Sequence, residues 1–231
     1  LQLLGVSDFD RARYAITGNV EFMQDGGEDE AVIVWLKLCE EEIEVQNKDL
    51  SDTPYSKNEL ESSMQRLKMI ALNPDVEGSI KSARKLLNRC GVYLVVHQAI
   101  ANAKVRGALA SHLGHPAIYI SERFKTHDHV WFTVVHELEH LLLHYDPKQP
   151  IVSMEELASE RHKDDEANCA ARAFFVDADD YSAFVQQGSF DRSHVCNFAR
   201  EQKVDPGIIV GFLQHDGYVD FSELSDLKSY C

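Results

Sequence analysis

The spacing of apolar positions predicts helices at both ends of the chain and strands in its middle. Residues 29–45 have helical periodicity, with apolar side chains on one face. Ser56 followed by Glu59 is a capping box, which predicts a helix that ends near residue 71. A further amphipathic helix covers residues 80–90 and ends at Gly91, since glycine readily adopts the left-handed conformation after a helix.

Three short apolar runs after these helices predict β-strands, at residues 91–96, 105–110 and 117–120. Residues 113–116 (Leu-Gly-His-Pro) are a hairpin turn signal between the last two strands. We therefore predict an α+β fold, in which a small antiparallel three-stranded sheet packs against two later helices, with helical N- and C-terminal parts. The break at residues 73–74 (Asn-Pro) divides a helical extension or linker, 1–73, from a domain at 74–231.

The helix after the strands contains the sequence HELEH at residues 136–140. His136 and His140 lie one turn apart, about 40° around the axis, so both imidazoles can reach one metal ion. Glu137 projects about 100° away and can stand beside the metal without binding it. Zinc lowers the pKa of its bound water, and a neighbouring carboxylate can then accept the proton. We predict zinc ligands at His136 and His140 and a general base at Glu137.

The simplest alternative is a chance match, which any five-residue motif allows. The surrounding residues argue against chance, because they are mostly large and apolar: Val130, Trp131, Val134, Val135, Leu138, Leu141 and Leu142. Polar groups on such a buried helix are costly unless they have partners. Thr126 is the predicted N-cap, and Asp128 in the first turn suits the helix dipole.

The third predicted ligand is Glu166, at the start of another helix. Glu166 heads a stripe of small residues at helical spacing, formed by Cys169, Ala170 and Ala173. Small residues let two helices approach closely, which would bring the carboxylate to the histidines. The alternative is that Glu166 is an ordinary first-turn acid favoured by the dipole, and Asp164 and Asp165 are then the fallback ligands.

These segments resemble the ImmA/IrrE metallopeptidase family. The resemblance rests on residues 118–123, 130–144 and 166–171. It implies a zinc fold with His136, His140 and Glu166 as ligands and Glu137 as the base, acting on a repressor or antitoxin-like protein in regulation or a stress response.

The rest of the chain resembles members of that family fused to a helix-turn-helix of the HigA antitoxin type. Residues 198–200 and 205–214 are similar to the tail of those members, and residues 4–6 and 34–40 to the linker after the DNA-binding module. No helix-turn-helix is present and the chain begins at Leu1, so we expect a processed fragment or the C-terminal part of a longer regulator.

Three departures from the family pattern bear on substrate choice and activity. Glu139 stands where a small residue is common, and Phe212 where arginine is usual. Phe-Val-Asp at residues 175–177 replaces the Leu-Ile-Pro-like end of the ligand helix.

Composition favours a cytoplasmic protein. The 231 residues are 44% hydrophobic, and no apolar run approaches the ~18 residues of a membrane span. Five cysteines do not suggest a disulfide framework. Cys39, Cys90 and Cys196 are predicted in the core and Cys231 as a loose end. Cys169 is either an alternative metal ligand or, as we favour, another core residue.

The net charge of −15 argues against direct binding of duplex nucleic acid, because phosphate contacts need cations. Any DNA contact is expected through a missing N-terminal module. We expect a protein substrate as partner, with no membrane contact, and a homodimer is compatible with the sequence.

The other histidines are not predicted as ligands. His144 continues the face of His136 and His140 but lies about 12 Å along the helix from His136, so it is assigned to the helix end, near the dipole or a carboxylate. The remainder are expected at the surface: His97, His112, His115, His127, His129, His162, His194 and His215. One of these, Tyr145 or Arg123 could stabilise an oxyanion.

Two function classes remain at this point. One is a zinc endopeptidase, which Glu137 favours because a structural zinc site needs no base. The other is a non-proteolytic regulatory or antitoxin domain that uses zinc for structure or sensing, which a fourth protein ligand would favour.

Overall fold

The structure, a computed structural model, describes residues 29–123, 125–154 and 162–229. Residues 4–6, predicted as linker, and Cys231 lie outside this part. The helices of the described residues are α1 (Asp29–Glu41), α2 (Ile43–Gln46), α3 (Lys57–Ile70), α4 (Val76–Arg89), α5 (His127–His144), α6 (His162–Phe175), α7 (Ala178–Gln186), α8 (Arg192–Gln202) and α9 (Pro206–His215). A 3₁₀ turn follows at Ser225–Leu227.

The strands form one mixed sheet of four, in the order β1-β3-β2-β4. Their bounds are β1 (Tyr93–His97), β2 (Val105–His112), β3 (His115–Ser121) and β4 (Ile151–Met154). β2 pairs antiparallel with β3 and β4, whereas β1 pairs parallel with β3. The α+β class and the antiparallel β2–β3 hairpin are confirmed, but the sheet differs from the predicted three antiparallel strands in having a fourth strand and a parallel β1–β3 pair. The β2–β3 hairpin places β3 between β1 and β2, and this insertion makes the β1–β3 pair parallel.

Both faces of the sheet are covered by helices. Leu94, Leu109 and Ile118 belong to a core with α3, α4, α5 and α9. The alternate side chains of the same strands, such as Val95 and Tyr119, belong to a second core with α1. Burial on both faces explains why the strands are almost continuously apolar.

Local signals set several helix ends as predicted. The Ser56 hydroxyl accepts a hydrogen bond from the Glu59 amide at 3.3 Å, and α3 begins at the next residue. α4 begins earlier than predicted, because Asp75 caps it through the Gly78 amide at 3.1 Å. Thr126 is the N-cap of α5, although its side chain makes no capping hydrogen bond.

The motif helix α5 is the central element of the larger core. It makes its most extensive packing with α6 and also contacts β2, β3 and α9. Ala167 and Ala171 of α6 are fully buried. Small residues on this face let the two helices approach closely, which places the start of α6 beside the motif.

The C-terminal segment is tied to the first turn of α5. The Lys228 ammonium lies 2.7 Å from the Asp128 carboxylate, and both side chains are buried. The His127 amide donates to the Ser229 carbonyl at 2.8 Å. His127 is fully buried, which corrects its predicted surface position. The first turn of α5 therefore holds residues 228 and 229 in place through an ion pair and a backbone hydrogen bond.

No helix in the described residues has the length and apolar character needed to cross a membrane.

Candidate metal centre

Two imidazoles and one carboxylate converge between α5 and α6. The Nε2 atoms of His136 and His140 are 3.0 Å apart, and Asp164 Oδ1 lies 3.1 Å from His140 Nε2. One ligand atom from each of the three residues lies within 4.8 Å of the others, and all three residues are buried. Over residues 29–123, 125–154 and 162–229 it is the one such group of three or more potential ligands.

Glu166 does not lie in this cluster, and the fallback residue Asp164 takes the place predicted for it. The Glu166 side chain is 48% exposed, and its Oε2 lies 2.8 Å from His144 Nε2. The buried face of α6 consists of Asp164, Ala167, Ala171 and Phe175. Asp165, the other fallback, is exposed. The structure thus turns the predicted stripe of small residues, Cys169 included, away from α5.

The predicted base, Glu137, is fully buried beside the histidines. Neither of its oxygens makes a hydrogen bond of good geometry with the described residues. Burial raises the pKa of Glu137 to about 8, which the nearby Ser153 hydroxyl partly offsets. Gly107 of β2 makes room for this side chain, because a Cβ there would stand 2.6 Å from Glu137 Oε1.

His136 is held as a neutral imidazole. Burial, assisted by the neighbouring His140, lowers the pKa of His136 to about 3. Its Nε2 lies 3.2 Å from the Ser153 hydroxyl, and the Phe132 ring stacks on it at 6.5 Å. Phe212 packs edge-on against Phe132 at 6.0 Å. The departure at Phe212 therefore extends an apolar wall behind the cluster.

Ser153 and Arg106 lie near the site and were not predicted from the sequence. Ser153 belongs to β4, which is too short and too weakly patterned to be predicted. Arg106 of β2 donates from Nε to the Met154 carbonyl at 3.1 Å, and its charge lowers the pKa of both Glu137 and His136. A signal for Arg106 exists in the sequence, since it is a charged residue inside an apolar strand.

Tyr145 and Glu139, which the sequence analysis singled out, are not among the three potential ligands of the cluster. Tyr145, a candidate for oxyanion stabilisation, packs edge-on against Tyr55 at 6.0 Å. Glu139 is half-buried, and burial raises the pKa of its carboxyl group. Oxyanion stabilisation by Tyr145, Arg123 or another histidine stays a prediction.

The cluster has the composition of a divalent metal site. Two neutral nitrogen donors and one carboxylate are the donor set of catalytic zinc sites, which leave a fourth position for water. Asp164 and Glu137 place two carboxylates in a buried space beside His136, whose imidazole is neutral. A bound cation would balance that charge and favour the ionised form of Glu137. The residues therefore fit a divalent metal ion, zinc being the typical one.

Comparison with known proteins identifies one family. Residues 89–210, more than half of the chain, match the family model Peptidase M78, described as the IrrE N-terminal-like domain. The matched range runs from the last residue of α4 into α9 and contains the whole sheet and the metal cluster. No curated protein matched the chain.

Proposed function

Because the chain belongs to the Peptidase M78 family of IrrE N-terminal-like domains, we propose that it is a zinc-dependent endopeptidase acting on a protein substrate. Glu137 is the observation that carries the proposal. It is a fully buried carboxylate without a well-formed hydrogen bond, next to a group of potential metal ligands. A buried carboxylate in that state is costly, and a structural zinc site has no use for one.

Each residue of the cluster has a role in this proposal. His136 and His140 would hold zinc through Nε2, and Asp164 through its carboxylate, in place of the predicted Glu166. Zinc, when bound, lowers the pKa of a water molecule and polarises a peptide carbonyl. Glu137 accepts the proton at a carboxylate oxygen and passes it to the leaving amine. Phe132 and Phe212 keep bulk water away from the imidazole side of the site.

The substrate we propose is a repressor or antitoxin-like protein, whose cleavage changes transcription or a stress response. This rests on the resemblance to regulator-fused members of the family. The charge of −15 favours a partner with a basic or neutral surface.

A regulatory domain without proteolysis is the second candidate. The Ser153 hydroxyl lies 3.2 Å from His136 Nε2, so it is a further oxygen beside the cluster that could act as a protein ligand. A fourth protein ligand would close the coordination and leave zinc a structural or sensing role.

The Glu137→Gln variant separates these candidates. The amide keeps the volume of the side chain but cannot act as a base, so zinc content and fold should be retained. Cleavage should fall by about a hundredfold or more. Glu61→Gln, at an exposed position of α3, is the control for the same chemical change and should cut normally.

The measurement is co-expression of each variant with a candidate DNA-binding partner, following the length of the partner under stress. Zinc per chain is determined on the same purified proteins. Regulation by Glu137→Gln equal to that of the parent would remove the peptidase proposal in favour of the regulatory domain. Absence of zinc from the purified parent protein would contradict both the peptidase and the regulatory-domain proposals.

A further inference from the structure

A line of hydrogen bonds leads from the metal cluster to the surface of α6. His140 Nδ1 lies 3.1 Å from His144 Nδ1, one helical turn further along α5. His144 Nε2 lies 2.8 Å from Glu166 Oε2, and the second oxygen of Glu166 lies 3.2 Å from His162 Nδ1. The His144 side chain is 7% exposed, so the step from His140 to His144 is mostly buried, whereas Glu166 lies at the surface.

Chemistry fixes the direction of the line. His140 Nε2 faces His136 and Asp164, so a metal ion held there would need the Nε2 lone pair, and the ring proton would then have to be on Nδ1. That proton is donated to His144 Nδ1. A neutral His144 then carries its own proton on Nε2 and donates it to Glu166, which accepts as a carboxylate. Each of the two imidazoles thus has one defined tautomer.

We infer that His144 and Glu166 are positioning residues, which orient the His140 ring and make its Nε2 a better metal donor. The inference rests on the metal site of the proposed function. A metal-binding histidine usually donates its other ring N–H to a carboxylate or carbonyl, and losing that acceptor typically weakens metal affinity 10- to 100-fold. Here the carboxylate acts through a second imidazole.

The arrangement also gives α6 two functions at neighbouring positions. Asp164 reaches the cluster directly from the buried face of the helix. Glu166, two residues later and half-exposed, reaches it only through His144. A third histidine at the i+4 position therefore supports a ligand without being one.

The test is the zinc affinity of purified variants, measured by competition with a chromophoric chelator. His144→Phe removes both hydrogen bonds and should raise the zinc Kd by roughly 10- to 100-fold. His144→Asn keeps an acceptor near the Nδ1 position and should recover part of the loss. Glu166→Gln keeps an acceptor but loses the charge, and should give a smaller increase in Kd.

His162→Ala is the control, because His162 contacts Glu166 from the exposed side and lies outside the line to His140. Its zinc Kd should equal that of the parent. The melting temperature of the metal-free proteins separates positioning from structure. A positioning role changes zinc affinity while the metal-free melting temperatures of His144→Asn and Glu166→Gln stay near that of the parent.

Nitrogen-15 spectra of the zinc-loaded parent should show His140 bound through Nε2 and protonated on Nδ1. Parent-like zinc affinity in the His144→Phe and Glu166→Gln variants would overturn the inference and leave the metal site intact. If His144→Phe does not fold, His144→Asn and Glu166→Gln decide the question. Failure of the parent to bind zinc would overturn the proposed function, and the inference with it.

Discussion

Asp164 and Glu166 lie two residues apart on α6, and only Asp164 reaches the two histidines. Successive helical residues differ by about 100° in direction, so a shift of two positions moves a side chain to the other side of the helix. The choice between the two acids therefore decides which residue completes the metal site.

We predict that Asp164→Asn lowers zinc affinity by more than about a hundredfold. Loss of a residue that hydrogen-bonds to a metal ligand lowers affinity about 10- to 100-fold, and loss of the ligand itself should cost more. Asp165→Asn is the matched control, since its side chain is exposed beside the same helix end. Zinc affinity is measured by chelator competition. Loss of metal from the Asp165 variant with retention in the Asp164 variant would contradict this assignment.

The sequence predicts that His136, His140 and Glu137 lie together, but not that Asp164, instead of Glu166, lies beside the two histidines. The HELEH spacing is local, and one helix carries all three side chains. The α6 ligand depends on which face of α6 meets α5, and alanines occur on both faces. Phe175 could have indicated which face of α6 is buried, because a large apolar side chain favours the buried face of a helix. The same rotation leaves Cys169 exposed, so its predicted core position is wrong.

Helix α6 is the element whose close packing on α5 positions the cluster. Ala171 is fully buried, while Ala173 on the same helix is exposed. We predict that Ala171→Leu destabilises the protein by about 1–3 kcal/mol, because added methylene groups cannot be accommodated without moving the helix. The zinc affinity should fall as well, since Asp164 moves with α6.

Ala173→Leu is the control for helix propensity and should change stability by less than about 0.5 kcal/mol. Urea unfolding measures both variants. Equal effects of the two substitutions would show that close packing of α6 is not what holds Asp164 in place.

Among the elements, those defined by neighbouring residues were predicted and those defined by distant pairing were not. The capped helix α3 and the β2–β3 hairpin follow from local signals at Ser56 and at residues 113–116. The parallel pairing of β1 with β3 and the addition of β4 depend on residues far apart in the sequence. Strand pattern alone does not specify such partners.

At the scale of the whole molecule, the sheet joins parts that the sequence suggested were separate. Trp35 and Leu36 of α1 share a core with Val95 and Tyr119 of the sheet. The boundary at residue 73 stays a prediction. α1 lies before that boundary and before the family match at residue 89, yet it covers one face of the matched sheet.

The ion pair between Asp128 and Lys228 joins the end of the chain to α5. Burial raises the pKa of Asp128, but hydrogen bonds and charges from His129 and Lys228 outweigh it and hold the pKa well below its usual 3.8. We predict that Lys228→Met destabilises the protein by about 1–3 kcal/mol at pH 7, because Asp128 stays buried and charged and loses its ammonium partner, while His129 remains beside it.

The pH dependence has a defined sign. A lowered pKa in the folded state contributes stability above the unfolded pKa, and this contribution is lost as pH falls through the folded pKa. The loss of stability in Lys228→Met should therefore become smaller as the pH drops below 3.8, the usual pKa of Asp128, because this carboxylate can then be protonated in the variant. Urea unfolding at pH 7 and at a pH below 3.8 measures the loss of stability relative to the parent. Lys85→Met, at an exposed position, should show no deficit at either pH. If Lys228→Met lost the same stability at the two pH values, the ion pair would be excluded as the cause.

The burial of the metal cluster has a kinetic consequence. The residues of the cluster and Glu137 are buried, with exposures between 0% and 5%, so a chelator or a peptide has little access to these side chains in this conformation. We therefore expect a reagent in solution to reach zinc when the site opens. We predict that zinc loss at rising chelator concentration reaches a constant rate, equal to the opening rate. A rate that keeps rising in proportion to chelator would mean that the site is permanently open.

In the proposed peptidase, catalytic efficiency would follow the population of the open form. If one molecule in a hundred is open, the efficiency falls about a hundredfold below its intrinsic value. A ligand that binds only the open form raises that population, and it can activate the protein without contacting zinc or Glu137. Low activity in the absence of such a ligand would then be a property of the closed conformation itself.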